Sequence, residues 1–267
     1  MTPRAMSAVI GDTLTTGALG RTLVIREHTG STMEDARVFA RMGAPHGTTV
    51  IALEQRAGRG RLGRPFVSPP GGLYLTVLLA PPSDPAEAWR CGFAAALAAR
   101  DAVRSVGGPE IEFDWPNDLV QDASKVGGIL MELLASGKEG DGASILLLGI
   151  GLNLGPDPAA LDPAAAGPAG PLAGLPAGDH RATVAAHFLN RLEELHARCA
   201  SDTGWREILA EMRPFSRALN GGRIAIRTAD GRLVEGRGAD LREDGAILLE
   251  TDDGTIVPVR YGERVRP

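Results

Sequence analysis

The sequence predicts an α/β protein, built from a large domain of alternating strands and helices followed by a small β-barrel. Up to Pro214, short apolar or β-branched runs alternate with stretches in which apolar residues recur at helical spacing. After Pro214 the runs become shorter and are separated by Asp-Gly pairs, the strongest short-range signal for a hairpin. We therefore place the boundary near residue 217, with a large domain over 21–216 and a small domain over 217–267.

Residues 1–20 are rich in small side chains and carry no clear periodicity, so we expect an irregular leader. A leader of this length leaves no room for a helix-turn-helix, and no N-terminal DNA-binding domain is expected. The leader also lacks the apolar core of a signal peptide, and no later apolar run is long enough to span a membrane. The expected location is therefore cytoplasmic.

Local patterns predict the elements of the large domain in order. Ser31 and Thr32, followed by Asp35, resemble a capping box and predict a helix that ends near Met42. Apolar residues at helical spacing over 85–106 predict a long packed helix. Further helices are predicted at 183–200 and 205–212, and strands at 23–25, 48–53, 73–79, 111–115, 127–134 and 145–152.

Two other stretches have a different composition. Residues 155–180 are rich in Pro, Gly and Ala, which suits neither helix nor sheet, so we expect a long surface loop. In the small domain, strands are predicted at 223–227, 232–236, 246–250 and 255–259, with Asp-Gly turns at 230–231, 244–245 and 253–254.

Composition argues against two classes of function. Lys and Arg total 28 against 33 Asp and Glu, a formal charge of −5, which disfavours a general nucleic-acid binder. The two cysteines, Cys91 and Cys199, lie far apart in the sequence, with no CxxC or Cys/His cluster. Reduced thiols fit a cytosolic protein, and this pattern gives no support for a zinc site.

A basic, glycine-rich segment over residues 54–66 is the most informative part of the sequence. Arg56, Arg59, Arg61 and Arg64 fall within nine residues of an acidic chain and are interleaved with glycines. Such a density of like charge repels itself unless an anion neutralises it. Glycines let the backbone approach a phosphate closely, and guanidinium groups bind phosphate or carboxylate through two hydrogen bonds. The segment therefore predicts an anion-binding loop.

The same segment allows two other interpretations. Gly58, Gly60 and Gly63 match the dinucleotide-binding fingerprint, but that fingerprint requires a helix to open at the last glycine. Pro65 and the prolines that follow cannot supply such a helix, so we reject this interpretation. A flexible Arg/Gly loop that contacts RNA stays open as an alternative on composition alone.

Three further motifs place polar groups at the ends of strands. A tight turn with proline at its second position (WPND, residues 115–118) follows a predicted strand. Lys125 lies where a polar loop leads into an apolar strand, and Asn153 ends another strand. Taken singly, each motif also has an ordinary structural explanation, as a turn, a surface lysine or a strand end.

In combination and in order, these motifs resemble those of the bacterial biotin–protein ligases. The matching segments are GRGRLGR at 58–64, WPND at 115–118, KVGGIL at 125–130 and GIGLN at 149–153, and the likeness covers residues 23–267. The resemblance implies a central mixed β-sheet flanked by helices, as in class II aminoacyl-tRNA synthetases, and an SH3-like C-terminal barrel. It also implies an ATP-dependent ligase that forms biotinyl-5′-AMP and transfers biotin to a lysine of a biotin carboxyl carrier protein domain of acyl-CoA carboxylases.

The resemblance further implies which residues bind biotin. Ser31, Thr32 and Gln55 would hydrogen-bond the ureido ring, and Lys125 would reach the biotin carboxylate or the α-phosphate. The loop that carries Gly60 would fold over both. The full implied biotin site is Ser31, Thr32, Met33, Gln55, Arg59, Gly60, Arg61 and Lys125.

ATP and Mg²⁺ are the implied cofactors, and a homodimer is allowed because relatives dimerise through sheet edges. Phe66 takes the place of an aromatic residue that stacks on adenine, Asn153 would lie near the adenine, and Asp118 would lie near the reacting groups or hold Mg²⁺. The implied ATP site is Arg61, Arg64, Phe66, Asn117 and Asn153. The implied catalytic residues are Arg59, Arg61, Lys125 and Asp118.

The chemistry of such a ligase explains why these residue types are needed. The biotin carboxylate attacks the α-phosphate of ATP, so two anions must meet, and cations that align them in a water-poor site lower the barrier. No nucleophilic side chain is required, because biotin itself attacks and pyrophosphate leaves. A glycine-rich loop that orders on binding would shield the acyl-adenylate from water until the carrier lysine attacks.

The chain departs from the family in three places. The family usually has Lys before the WPND turn, but Asp114 stands here, and one unit charge at about 4 Å is worth roughly 4 kcal/mol at an effective dielectric near 20. Either Asp114 faces elsewhere, or a nearby arginine compensates, or catalysis is weakened, or the substrate differs. Met33 stands where Asn often follows Ser-Thr, and residues 155–180 replace a shorter segment.

Two alternatives therefore stay open. A lipoate- or octanoyl-transferring ligase would share the central fold and the chemistry of the carrier lysine, although the Arg-Gly-Arg loop and the barrel favour biotin. A non-enzymatic protein, such as a biotin-binding protein impaired by Asp114, is the second.

Overall fold

Two β-sheets organise the chain. The computed structural model describes residues 1–82, 84–122, 124–135, 144–161 and 169–265. A seven-stranded sheet lies in the first part of the chain, and a five-stranded sheet lies in the second.

The seven-stranded sheet is mixed, as the resemblance implied. Its first two strands run parallel and every other neighbouring pair runs antiparallel, in the order β1-β2-β3-β7-β6-β5-β4. Each of the six predicted strands is present, and one further strand, β5, begins at the last residue of the WPND turn. The strands are β1 (Leu23–Arg26), β2 (Thr49–Ala52), β3 (Leu73–Leu79), β4 (Glu112–Asp114), β5 (Asp118–Gln121), β6 (Ser124–Ala135) and β7 (Ser144–Leu152).

Helices cover both faces of this sheet. They are α1 (Pro3–Thr13), α2 (Thr32–Arg41), α3 (Arg90–Ser105), α4 (Arg181–Arg198) and α5 (Asp202–Met212). Side chains alternate across a strand, and on β7 Leu147 packs under α2 whereas Leu146 and Leu148 belong to the larger core with α3 and α4. The α2 face is therefore the thinly covered one, and this is where a cavity can open.

The expectation of an irregular leader was wrong. Residues Pro3–Thr13 form helix α1, which begins with a hydrogen bond from the Ala5 amide to the Thr2 hydroxyl. Met6 and Ile10 lie one turn apart and are fully buried. Past the helix, the Glu193 carboxylate accepts hydrogen bonds from the amides of residues 17, 18 and 19 at 2.6, 2.8 and 2.9 Å. This segment is therefore part of the core of the large domain.

The five-stranded sheet is antiparallel throughout, in the order β11-β10-β9-β8-β12, which is consistent with the predicted SH3-like fold. Its strands are β8 (Arg223–Thr228), β9 (Leu233–Leu241), β10 (Ile247–Glu250), β11 (Ile256–Val259) and β12 (Gly262–Val265). The sequence predicted the first four, although β9 extends five residues beyond its predicted end at 236. It did not predict β12. The division into two domains near residue 217 stays a prediction.

All three tryptophans of the chain lie where the two sheets meet. The indole nitrogen of Trp115 donates to the Gly245 carbonyl at 3.3 Å, and that of Trp205 donates to the Glu243 carbonyl at 2.6 Å. Trp89 packs so closely on Gly245 that an added Cβ would lie 2.5 Å from its ring. The Asp-Gly turn at 244–245 of the small sheet is therefore held by three rigid tryptophan side chains that belong to the large domain.

The expectation of a surface loop over 155–180 was only partly right. Residues 162–168 lie outside the described residues. On either side of them, the chain is irregular apart from one short helical turn at Pro158–Ala160, but Leu161 and Leu172 are buried. Across the described residues, none of the helices has the length and apolar character needed to cross a bilayer.

Candidate active site

One cavity of about 570 Å³ opens on the α2 face of the seven-stranded sheet. Its floor is β7, on which Leu147, Gly149, Gly151 and then Asn153 follow one another along the same face. All of the site residues predicted from the sequence line this cavity: Ser31, Thr32, Met33, Gln55, Arg59, Gly60, Arg61, Arg64, Phe66, Asn117, Asp118, Lys125 and Asn153. The structure brings them together, while their roles toward a ligand stay predictions.

Two glycines in the floor make room for the side chains above them. A Cβ on Gly149 would lie 2.8 Å from the sulfur of Met33, and a Cβ on Gly151 would lie 2.4 Å from the ring of Phe66. Both distances are too short for real contacts, so a side chain at either position would displace Met33 or Phe66 from the floor. The GIGLN motif is therefore a floor that lets two apolar side chains lie close to the strand.

At one end of the cavity, a hydrogen-bonded group surrounds the start of α2. The amide and the hydroxyl of Thr32 donate to Gln55 Oε1 at 2.8 and 3.1 Å, and Thr76 donates to the Thr32 hydroxyl at 2.9 Å. Gln55 Nε2 in turn donates to the Ser68 hydroxyl at 2.8 Å. These bonds fix Thr32 and Gln55 before any ligand arrives.

Ser31 is different, because its hydroxyl takes no part in this group. It is the N-cap residue of α2 with an extended backbone, but its side chain makes no capping hydrogen bond. The predicted capping box is wrong in this respect, since Asp35 accepts from the Thr29 hydroxyl instead. The Ser31 Oγ is buried, and within the described part of the chain it has no hydrogen-bond partner.

The glycine-rich loop folds as a tight hairpin over the cavity. The amide of Phe66 donates to the Gly58 carbonyl at 2.9 Å, and the amide of Gly60 donates to the Arg64 carbonyl at 2.7 Å. Leu62, at its tip, has a φ of 56°. Only a short helical turn over Arg61–Gly63 follows the glycines, so the rejected dinucleotide-binding interpretation has no helix to support it.

Two arginines of the loop contact acidic side chains from different elements. Arg59 forms an ion pair with Glu34 of α2 at 2.6 Å. Arg64 forms an ion pair with Glu263 of β12 at 2.8 Å. Both arginine side chains are half exposed, so these pairs are weak and can exchange for a ligand anion.

Arg61 is the most enclosed of the three. It donates to Asn117 Oδ1 at 2.9 Å and to the Gly262 carbonyl of β12 at 3.4 Å. Burial lowers the pKa of the Arg61 guanidinium, with Glu263 and Asp118 opposing that shift. Burial of a cation is unfavourable unless an anion joins it, so this position favours an anionic ligand.

Lys125 faces the same region from the other side. Its ammonium lies 2.6 Å from Asp118 Oδ1. A Cβ on Gly128 would lie 3.6 Å from the Lys125 nitrogen, and Gly128 pairs with Gly151 in the sheet. The Lys125 ammonium therefore lies over the middle of the cavity floor, close to where Arg61 and Asn117 meet.

Asn153 marks the far end of the cavity. Its Nδ2 donates to the Gly170 carbonyl at 3.1 Å, and the Gly170 amide donates to the Lys125 carbonyl at 3.1 Å. The chain after the 155–161 stretch thus returns to cover this end. Asn153 Oδ1 is buried, and among the described residues it has no hydrogen-bond partner.

Asp114 does not line the cavity, although the residues that follow it do. It lies at the end of β4, is only 2% exposed, and forms an ion pair with Arg264 of β12. Arg264 does line the cavity. Of the four alternatives for Asp114, the structure therefore supports the two that concern geometry: the aspartate faces away, and an arginine compensates its charge.

The sequence missed Gly262, Glu263 and Arg264 as cavity residues. They come from β12, whose four residues show neither alternation nor an apolar run. One signal could have found Arg264, because a reversed charge next to a buried turn requires a cationic partner somewhere in the chain. No group of three or more His, Cys, Asp or Glu side chains able to hold a metal ion occurs within the described ranges.

The fold and this cavity are those of a ligase. The model of the biotin/lipoate A/B protein ligase family matches residues 29–150, and the chain belongs to that family. A biotin–acetyl-CoA-carboxylase ligase of Mycobacterium tuberculosis is 31% identical over 251 residues, covering 90% of this chain and 88% of the relative. The bifunctional ligase/repressor BirA of Bacillus subtilis is 29% identical over 244 residues, covering 90% and 73%.

A solved structure gives the same picture of the fold. The biotin protein ligase from Aquifex aeolicus, in complex with biotin and ATP, superposes with a TM-score of 0.74. It is 24% identical, and the match covers 91% of this chain and 97% of that one. The overall architecture of both sheets is therefore that of a biotin protein ligase.

Proposed function

We propose that this protein is a biotin–protein ligase, which joins biotin to AMP and then transfers biotin to a lysine of a biotin carboxyl carrier protein domain. The observation that carries the proposal is the order of groups along the cavity floor. At one end lies a buried hydroxyl and at the other a buried amide oxygen, neither of which has a hydrogen-bond partner among the described residues, and two cations lie over the middle.

The Ser31 end fits the ring of biotin. A buried hydroxyl that lacks a hydrogen bond destabilises the protein by about 1–3 kcal/mol, so it is expected to meet a polar group of a ligand. The ureido ring of biotin offers both donors and an acceptor. The dithiolane of lipoate offers only sulfur, a weak acceptor. This end of the cavity therefore favours biotin over the lipoate alternative.

The middle of the cavity fits the first chemical step. A biotin carboxylate oxygen attacks the α-phosphorus of ATP, forming a C–O–P linkage while pyrophosphate leaves. Arg61 and Lys125 would hold the carboxylate and the α-phosphate together and stabilise the charge that develops on phosphate oxygens. Asp118, at 2.6 Å from the ammonium, would orient Lys125 toward them.

The Asn153 end fits the adenine. The free Oδ1 of Asn153 can accept a hydrogen bond from an exocyclic amine, and Phe66 over Gly151 supplies an aromatic face next to it. Mg²⁺ fits this donor set in the way it is usually held with nucleotides, by one carboxylate together with substrate phosphates. Asp118 would be that carboxylate, and the ion would neutralise phosphate charge when bound.

The second step needs only access and protection. The amine of the carrier lysine attacks the carbonyl carbon of the mixed anhydride, AMP leaves, and the nitrogen loses a proton to become an amide. The glycine-rich loop, held by half-exposed ion pairs of Arg59 and Arg64, can rearrange to exclude water before transfer. The carrier partner, the cytoplasmic location and a homodimer stay predictions.

The test is biotin-dependent exchange of pyrophosphate into ATP by the full chain, followed by transfer to an isolated carrier domain. We expect exchange with biotin and none with lipoate, and a thermal shift with biotin that lipoate does not produce. Exchange that follows lipoate would refute the biotin assignment. Biotin binding without any exchange would favour the impaired binding protein.

The RNA-binding alternative receives no support from the loop. Arg59 and Arg64 pair with glutamates, and Arg61 contacts an amide and a carbonyl, so these three arginines do not form a free cationic surface. Salt-sensitive binding of RNA by the wild type, in the absence of biotin and ATP, would restore that alternative.

A further inference from the structure

We propose that Arg264 is a phosphate-facing residue of the ligase reaction and that Asp114 is its positioning residue. The pair would do from the five-stranded sheet what a lysine before the WPND turn does in the family that the sequence resembles. This inference rests on the proposed function, because it assigns a further residue to the same site.

Asp114 and Arg264 differ in their exposure to the cavity. Asp114 lies behind the cavity wall and is 2% exposed, whereas the Arg264 side chain is 18% exposed and lines the cavity. A guanidinium carries five N–H donors in a rigid plane. Asp114 can contact only part of that plane, and Arg264 lines the cavity, where a phosphate would be a second partner for the guanidinium.

The backbone that carries Arg264 is firmly held. Strand β12 pairs with β8 along its whole length, with Gly262 opposite Thr228 and Arg264 opposite Ile226. The fit is close, because a Cβ on Gly262 would lie 2.6 Å from Cγ2 of Ile226. Arg61 of the glycine-rich loop also donates to the Gly262 carbonyl. A side chain that stabilises developing charge is most effective when the protein already holds it in place before the substrate binds.

A purely structural ion pair would explain these contacts less well. A buried ion pair loses much of its attraction to desolvation and is often replaceable by apolar side chains, so stability alone is a weak reason for it. The Asp114–Arg264 pair is adjacent to Arg61, Asn117 and the WPND turn, where the phosphate is expected. Because the pair is neutral as a whole, Arg264 contributes oriented hydrogen-bond donors, and its effect should be smaller than that of Arg61.

Charge relocation tests this inference. A lysine at 114 would repel Arg264, so Asp114→Lys alone should lose both stability and activity. Combining Asp114→Lys with Arg264→Ser moves the cation from β12 to β4 and removes the repulsion. If the site needs one cation at this place from either strand, the double variant should recover activity that Arg264→Ala lacks.

The experiment measures biotin-dependent pyrophosphate exchange on the full chain, with KM for ATP, KM for biotin and Tm for each variant. We expect Arg264→Ala to lower kcat/KM for ATP by about 10–100-fold and to leave KM for biotin unchanged, and Asp114→Asn to show a smaller loss in the same parameter. The double variant should recover at least half of the loss on a logarithmic scale. Arg213→Ala is the matched control, since Arg213 pairs with Asp240 of the five-stranded sheet but lies outside the cavity.

Three results would overturn the inference. One is a fall in Tm for Arg264→Ala with unchanged kinetics, another is an equal kinetic loss in Arg213→Ala, and the third is no recovery in the double variant. If Arg264→Ala does not fold, Arg264→Gln replaces it, and full activity in that uncharged variant would contradict the need for a cation at this place. Absence of exchange in the wild type would refute the proposed function and this inference together, whereas an active wild type with unaffected Arg264 variants refutes this inference alone.

Discussion

The two regions of the cavity that face a ligand's ring and its phosphates are built in different ways. At the Ser31 end, the contacting residues all come from the first part of the chain, as with Thr32 and Thr76, which are 44 residues apart. At the Arg61 middle, the contacts cross to the other sheet, as with Arg61 and Gly262, which are 201 residues apart. The first region contains no residue of the five-stranded sheet, whereas the second is completed by contacts with that sheet.

This difference teaches where stability and activity are coupled. Thr32 and Gln55 are held by neutral hydrogen bonds that involve no residue of the five-stranded sheet, so a change there should leave the contacts with β12 intact. Arg61 and Arg264 depend on β12, so a change in the packing of the five-stranded sheet should reach the reacting groups. Variants that affect one region and spare the other can test this view.

The largest effect is expected from Arg61→Ala. It removes a partly buried cation over the middle of the floor, and loss of one such charge-stabilising group lowers the rate by about 10²–10³-fold. Pyrophosphate exchange should fall to this extent, whereas biotin binding, measured by calorimetry, should weaken much less because the Ser31 end still holds the ring. Lys125→Ala should behave in the same way. Unchanged exchange in both variants would refute the assignment of the middle region.

The next largest effect is expected from Gly262→Ala, which disturbs the packing of β12 without removing a charged group and so tests whether that packing affects activity. The added methyl would overlap Ile226 and the Arg227 carbonyl, and overpacking of this kind destabilises a protein by about 1–3 kcal/mol. Denaturant unfolding should show that loss, and exchange should decrease because the Arg61 and Arg264 contacts move. Gly11→Ala is the control, since its Cβ would meet nothing within 4 Å. Lower stability with normal exchange would contradict the coupling.

A smaller effect is expected from Ser31→Ala, which tests whether a change at the Ser31 end alters ligand binding without lowering stability. Biotin binding should weaken by about tenfold, because one neutral hydrogen bond to the ligand is lost. The Tm should stay the same or rise, since a buried hydroxyl without a partner is removed. Thr76→Val provides the contrast, because it breaks the bond to Thr32 and should lower stability. A loss of Tm in Ser31→Ala with unchanged binding would refute the ligand-facing role.

The smallest expected effect is a dependence of stability on pH that comes from His46, which lies outside both regions of the cavity. Burial lowers the pKa of His46, the nearby His196 lowers it further, and Glu193 opposes both. His46 is therefore harder to protonate in the folded chain than in the unfolded one, so the stability present above its ordinary value of 6.5 is lost as pH falls through the lowered folded pKa.

His46→Gln should reduce this loss, because glutamine can still accept from the Ala80 amide but does not titrate. The measurement is Tm at about pH 7.5 and about pH 5.5, in the range where a histidine changes charge. Ser31→Ala and Arg61→Ala should keep the full pH dependence of the wild type. An unchanged difference between the two pH values in His46→Gln would assign the titration to another group.

Much of the fold could be predicted, and the errors have physical causes. Strong alternation or an apolar run marked strands such as β3 and β7, and Asp-Gly pairs marked the hairpins after Pro214. Helix α1 was missed because only Met6 and Ile10 of it are fully buried, although the Thr2 cap and Pro3 are local start signals. Strand β12 carries no such signal, because its four residues are a strand only through pairing with β8.

The sequence by itself determined which kinds of side chain line the cavity. These are the arginines of a glycine-rich loop, a lysine and an amide at strand ends, and polar residues at the start of a helix. Short-range patterns specify these because backbone geometry depends on neighbouring residues. Only the tertiary structure decided that Ser31 is left unpaired, that Asp114 turns behind the wall, and that Arg264 enters the cavity. Those outcomes depend on how burial and charge are balanced among groups far apart in the chain, and no local pattern records that balance.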